Sequence, residues 1–248
     1  MIELASRGDV AILTMVHGKA NALTTEFCDG LVACLQETAA ARAIVIAGTG
    51  RIFSAGVDLP RLLEGGPAYV REFLPALHRL YDAVFFHPRP IVAAVNGHAV
   101  AGGCVLACAA DRRLMADNGC QIGVTELLVG VPFPPLAFEI MRYAAAPQFF
   151  PSIIFSGATF APPDALVRGL IDEIVAPEAL LARAVAAAET LAALSPRAFA
   201  LTKRQMRQPV AERTASNADA VDDAVTDTWT APETAARIRD YVARTLKK

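Results

Sequence analysis

The stretch that most constrains the fold runs over residues 91–110. An apolar run, Ile91-Val92-Ala93-Ala94-Val95, leads into Asn96-Gly97-His98-Ala99-Val100-Ala101-Gly102-Gly103-Cys104, and a helical pattern follows over residues 105–110. A buried strand, a glycine turn and a helix start in that order are the mark of an α/β unit. Gly102 and Gly103 carry no Cβ, so their backbone N–H groups can be aimed into a cavity at a helix start, where negative charge is favoured. The same pair also suits close packing of a strand against a helix, and taken alone it leaves both readings open.

A second stretch has the same form. Residues 43–47 (A-I-V-I-A) end in Gly48-Thr49-Gly50, and R-I-F-S-A-G-V-D-L follows over residues 51–59. Ligands of α/β proteins sit beyond the carboxyl ends of parallel strands, so the two turns are expected to border one crevice.

The rest of the pattern supplies the frame. Residues 2–4 and 10–15 read as a hairpin through Ser6-Arg7-Gly8-Asp9. Thr24 is placed to cap a helix reaching about residue 40, with Phe27, Leu31, Cys34 and Leu35 on one face. Residues 60–68, broken by Gly65-Gly66-Pro67, read as an irregular, mobile loop, and residues 69–86 as an amphipathic helix. A third short strand is expected at residues 112–116. No internal repeat is visible. From Pro177 the composition turns Ala-rich, and helices are predicted over 178–194, 196–206, 210–228 and 232–246. This divides the chain into a core over 1–195 and a helical region over 196–248.

Composition excludes several classes. With 248 residues, 54% of them hydrophobic, the chain can bury a large core. Lys plus Arg is 23 against 25 acidic residues, a net charge of -2, which leaves no basic footprint for nucleic acid. The five cysteines lie in apolar contexts without a CxxC, and the four histidines (His17, His78, His87, His98) show no metal spacing, so no metal is expected. Reduced core thiols suit the cytoplasm. Met1-Ile2-Glu3 does not open a leader pattern and no apolar run reaches roughly 18 residues, so neither export nor a membrane span is expected.

Taken together, F-S-A-G-V-D-L and N-G-H-A-V-A-G-G-C resemble the paired signatures of the crotonase superfamily, the enoyl-CoA hydratase and isomerase family. The resemblance spans roughly residues 10–203. It implies an α/β fold, a superhelix of repeated β-β-α units, with C-terminal helices that pack against neighbouring subunits in a homotrimer or a dimer of trimers. It implies an acyl-CoA thioester as substrate, with coenzyme A part of that substrate and no separate cofactor. Matched motif to motif, the backbone N–H groups of Val57 and Gly102 form the implied oxyanion hole. One donor of such a hole is typically worth about 2.7 to 4 kcal/mol.

Hydratases of the family flank the substrate double bond with two glutamates. The first position is occupied here by Val105, whereas the second, in Thr125-Glu126-Leu127-Leu128-Val129-Gly130, keeps Glu126. Hydration calls for two acid-base groups, but moving a double bond needs only one carboxylate to carry a proton from C2 to C4. The sequence therefore resembles the Δ3,Δ2-enoyl-CoA isomerase branch. Val105, Phe133 and Pro134 are expected to wall the acyl chain, and Pro132-Phe133-Pro134-Pro135 stands where hydratases usually place a glycine-rich loop. Ala22, Ser54 and Ala55 match backbone segments that cradle the coenzyme A adenine in relatives, Lys19 is read either as a phosphate contact or as a solvated turn residue, and Asp58 is expected to orient its loop.

Alternatives stay open at this stage. A hydratase, or an acyl-CoA-binding chain without chemistry, fits the fold signatures. A nucleotide-binding protein would rest on Gly48-Thr49-Gly50, but neither G-x-G-x-x-G nor a Walker A lysine is present, and no G-x-S-x-G elbow points to a serine hydrolase.

Overall fold

In the computed structural model, which describes residues 1–216 and 218–245, the chain opens as the pattern predicts. Strand β1 (Ile2–Arg7) pairs antiparallel with β2 (Val10–Met15). Helix α1 (Thr25–Glu37) starts where Thr24 Oγ1 accepts the Phe27 N–H at 3.2 Å. One such cap is worth about 1 kcal/mol, and a short 3₁₀ turn extends the helix to Ala40.

Three β-β-α units follow. They are β3 (Ala43–Ala47), β4 (Ile52–Ser54) and α2 (Leu59–Phe85); β5 (Ile91–Val95), β6 (His98–Val100) and α3 (Gly102–Cys108); and β7 (Arg112–Ala116), β8 (Ile122–Gly123) and α4 (Glu126–Val129). The first strands of these units join one six-stranded sheet, and the second strands join a separate four-stranded sheet. The chain continues through α5 (Pro135–Ala144), α6 (Phe150–Ser156), β9 (Thr159–Phe160), α7 (Pro162–Val167) and β10 (Glu173–Val175). It ends with α8 (Leu180–Ala192), α9 (Pro196–Ser216), α10 (Ala218–Thr230) and α11 (Pro232–Thr245). The larger sheet runs β1-β2-β3-β5-β7-β10, parallel except at the hairpin, and the smaller runs β4-β6-β8-β9.

The unbroken apolar run of β3 reflects burial on both faces. Ile44 and Ile46 enter the main core, packed with α1, α2 and α3, whereas Ala43, Val45 and Ala47 face the second layer under α8. In that layer Val92 and Leu114 meet Ala184 and Ala188, whose small side chains bring α8 close to the sheet. Fully burying a residue such as Val92 contributes about 1.5 to 3 kcal/mol. No single helix among the described residues is long and apolar enough to cross a membrane.

Two expectations are corrected. Residues 60–68 are helical rather than irregular, because Asp58 caps α2 by accepting the Arg61 N–H at 2.9 Å and Pro60 sits in the first turn, where no N–H is required. The helix breaks only at Gly66, whose φ of 60° and ψ of -158° turn the chain before Pro67. The break expected near Pro209 is also absent, since α9 runs through it to Ser216. Lys203, Arg207 and Val210 are all buried on the face that spans the proline, so packing outweighs its local cost. Of the last helix expected over 232–246, Leu246 lies outside the described residues.

Candidate active site

The two glycine turns touch. Asn96 Oδ1 accepts the Gly48 N–H at 2.8 Å, and Asn96 Nδ2 donates to Gly50 O at 3.0 Å. Beyond them, β4 and β6 run parallel and deliver residues 55–58 and 101–103 to one place. Gly56 has a φ of 79°, and a Cβ there would stand 2.7 Å from Val100 O and 2.9 Å from the Gly102 nitrogen. Only glycine permits that approach. Gly103 is needed for the same reason, as a Cβ would come within 2.2 Å of Ser54 O.

The segment over residues 54–58 is tied to the one over residues 20–23. Ser54 Oγ donates to Asn21 O at 2.8 Å and accepts the Gly56 N–H at 3.2 Å, while Ala55 N donates to Ala20 O at 3.0 Å. Leu23 and Val57 form a parallel bridge in which Leu23 N donates to Gly56 O and Asp58 N donates to Leu23 O. In that pattern the flanking residues make the bonds, so the N–H of Val57 itself points away from Leu23. Across from it, Ala101 holds a φ of 50° and a ψ of -126°, a strained conformation for alanine, and α3 begins at Gly102. Neither the Val57 nor the Gly102 N–H meets an acceptor among the described residues. The Tyr81 hydroxyl donates to Gly102 O at 3.0 Å and anchors the same turn.

These groups border a cavity of about 440 Å³. Ala22, Ala55, Val57, Asp58 and Gly102 line one side of it, and Glu126 and Pro134 also reach it. Glu126 opens α4 and is 8% exposed, and its Oε2 is buried with no hydrogen-bond partner among the described residues. Burial pushes its pKa from 4.5 up to about 7, only partly offset by its own and Thr125's backbone N–H groups. The cavity is thus bordered by Val57 and Gly102, whose N–H groups meet no acceptor among the described residues, and by one carboxyl whose pKa is raised to about 7. Such a set can stabilise an oxyanion and move a proton beside it.

Four of the residues named from sequence do not line the cavity. Lys19 is exposed on its turn, and Ser54 is fully buried with its hydroxyl spent inside the loop. Val105 is fully buried within the core side of α3, and Phe133 packs behind the wall, its ring 6.2 Å from that of Phe138. Sequence reading also missed wall residues. Leu77 and Tyr81 of α2 line the cavity, as do Trp229 of α10 and Tyr241 of α11. Burial and the nearby Glu126 charge hold the Tyr81 phenol well above its usual pKa, so it stays protonated as a donor. The helical period of residues 69–86 signals that Tyr81 is buried but not that it faces a cavity. No group of three or more His, Cys, Asp or Glu side chains that could hold a metal occurs among the described residues.

A profile of the enoyl-CoA hydratase/isomerase family matches residues 6–242. The chain belongs to this family. Its fold is that of the crotonase superfamily, and it superposes on human mitochondrial Δ3,Δ2-enoyl-CoA isomerase with a TM-score of 0.94, covering 99% of this chain and 98% of that one at 25% identity. In sequence it is 29% identical over 225 residues to human mitochondrial enoyl-CoA delta isomerase 1, covering 89% of this chain and 74% of that protein. It is 33% identical over 197 residues to the probable enoyl-CoA hydratase EchA17 of Mycobacterium tuberculosis, covering 78% of this chain and 75% of that one. The family is one of enzymes acting on enoyl-CoA, and its named members include both hydratases and isomerases.

Proposed function

We propose that this protein is an enoyl-CoA isomerase that converts a 3-enoyl-CoA to a 2-enoyl-CoA. The observation that carries the proposal is the carboxyl of Glu126, the one buried acid among the residues that line the cavity, with one oxygen unpartnered, while the position that the resemblance gives to a second acid is held by Val105. The substrate thioester oxygen accepts the N–H groups of Val57 and Gly102. The Glu126 carboxylate takes a proton from C2, the electron pair spreads through the double bond onto that oxygen, and the dienolate is held by the two donors. The same carboxyl then returns the proton at C4. No cofactor is required beyond the coenzyme A that the substrate carries. Free cysteines, four of the five of them buried, suit a reducing compartment, and we place the protein in the cytoplasm.

The test is a comparison of initial rates. With 3-enoyl-CoA and 2-enoyl-CoA of equal chain length, isomerisation is expected to exceed hydration clearly. Equal rates would favour the second reading, a hydratase, which the likeness to EchA17 supports.

The protein is further expected to assemble as a homotrimer or dimer of trimers. Helices α10 and α11 spend Val225, Trp229 and Ile238 on their own chain, so the exposed apolar residues Leu128, Phe155 and Val167 are the stronger candidates for subunit contact. Light scattering at micromolar concentration checks this, and a monomer mass would count against it.

A further inference from the structure

We propose that Trp229 sets the length of acyl chain this protein accepts, by closing the inner end of the cavity with a ring that the C-terminal helices carry back over their own core. The inference rests on the acyl-CoA reading above. Helices α10 and α11 both pack on α2, and α11 also meets α4, so the last part of the chain builds a wall of its own cavity. The Trp229 indole N–H donates to Pro132 O at 2.9 Å, and the residue is only 4% exposed. The bond holds the ring against the segment that also supplies Val131 and Pro134 to the cavity.

The lining of the cavity is of two kinds. Ala55, Pro60 and Thr245 line it and are exposed, whereas Leu77, Val129, Val131, Ala137 and Trp229 line it and are buried. An acyl-CoA therefore has one sensible orientation. Its phosphates stay at the exposed side, because the buried apolar wall offers no cation to compensate them. With the thioester at Val57 and Gly102, the hydrocarbon tail runs inward toward Trp229.

Each methylene buried on the way in strengthens binding about fourfold. That gain stops where the chain meets a ring that is hydrogen-bonded and packed, since forcing extra carbons into a filled core is unfavourable. The affinity of the protein for acyl-CoA should thus climb with chain length and then break.

Calorimetric titration with saturated acyl-CoA from acetyl to hexadecanoyl reads this without any turnover. In the wild type the climb of about fourfold per carbon is expected to end at a defined length. In Trp229→Ala the break should move at least about two carbons longer, with the short-chain affinities little changed. Trp229→Phe keeps much of the bulk and serves if the alanine variant does not fold; its break should move about one carbon longer. A break at the wild-type length in a folded variant overturns the assignment to Trp229. If no acyl-CoA of any length binds the wild type, the acyl-CoA reading itself fails, and this inference falls with it.

Discussion

Glu126→Gln is expected to lower isomerase turnover by about 10² to 10⁴ while leaving acyl-CoA affinity nearly unchanged. Glutamine keeps the volume at the start of α4 but cannot accept the C2 proton. The two N–H donors and the apolar wall, to which the proposal assigns substrate binding, stay in place. The pH profile carries the same signature. Burial holds the free carboxyl at about 7, so kcat/KM should rise with pH through that value and level off above it. A variant that keeps more than about a tenth of wild-type activity, well above the loss such a base should cause, would mean that another group moves the proton.

The same substitution should stabilise the fold. A carboxyl raised from 4.5 to about 7 binds its proton more tightly folded than unfolded, so its contribution is harmless below the lower value and increasingly destabilising as pH climbs to the upper one. At 1.36 kcal/mol per unit the full effect is on the order of 3 kcal/mol. Glutamine removes it. A gain in stability above neutral pH together with lost turnover separates a site strained for catalysis from a merely structural acid.

The sequence made the centre of the site legible because each of its parts has a local signature. Glycine at positions 56, 102 and 103 reports backbone approach, and a lone glutamate among Val124, Leu127, Leu128 and Val129 reports a buried acid. The alternation inside β3 could not be seen, since a strand buried on both faces shows no period. Proline density misled at residues 60–68 and at Pro209, where capping by Asp58 and packing of Arg207 decide the conformation. Trp229 and Tyr241 were illegible for a different reason. They reach the cavity from more than 90 residues beyond Glu126, and helical periodicity says which face is apolar but not what it covers.

Helix α9, which leads into α10 and α11, is held by a buried charge cluster, and breaking it gives the largest expected loss of stability. Asp111 accepts Lys203 Nζ at 2.7 Å and Arg207 Nη2 at 2.8 Å, and it also accepts the Ile91 N–H at 2.8 Å. The Arg207 guanidinium donates in addition to Phe85 O and lies 4.1 Å over the Phe85 ring. Both cations sit on α9, so one carboxylate fixes that helix to the sheet. At the far end of the same helix Arg213 binds Glu139 of α5 at 2.6 Å, which sets the direction in which the chain leaves for α10. Burial pulls Lys203 down to about 8 despite Asp111, so the pairing does not fully offset desolvation. Asp111→Asn keeps the shape but leaves two buried cations without a counter-charge. Urea unfolding at fixed protein concentration should show a loss of about 3 to 5 kcal/mol. The exposed Arg79–Asp29 pair is the comparison, and Asp29→Asn should cost at most about 1 kcal/mol. If the two variants unfold at the same urea concentration, α9 is held by its apolar contacts alone and the charge cluster does not anchor the wall that carries Trp229.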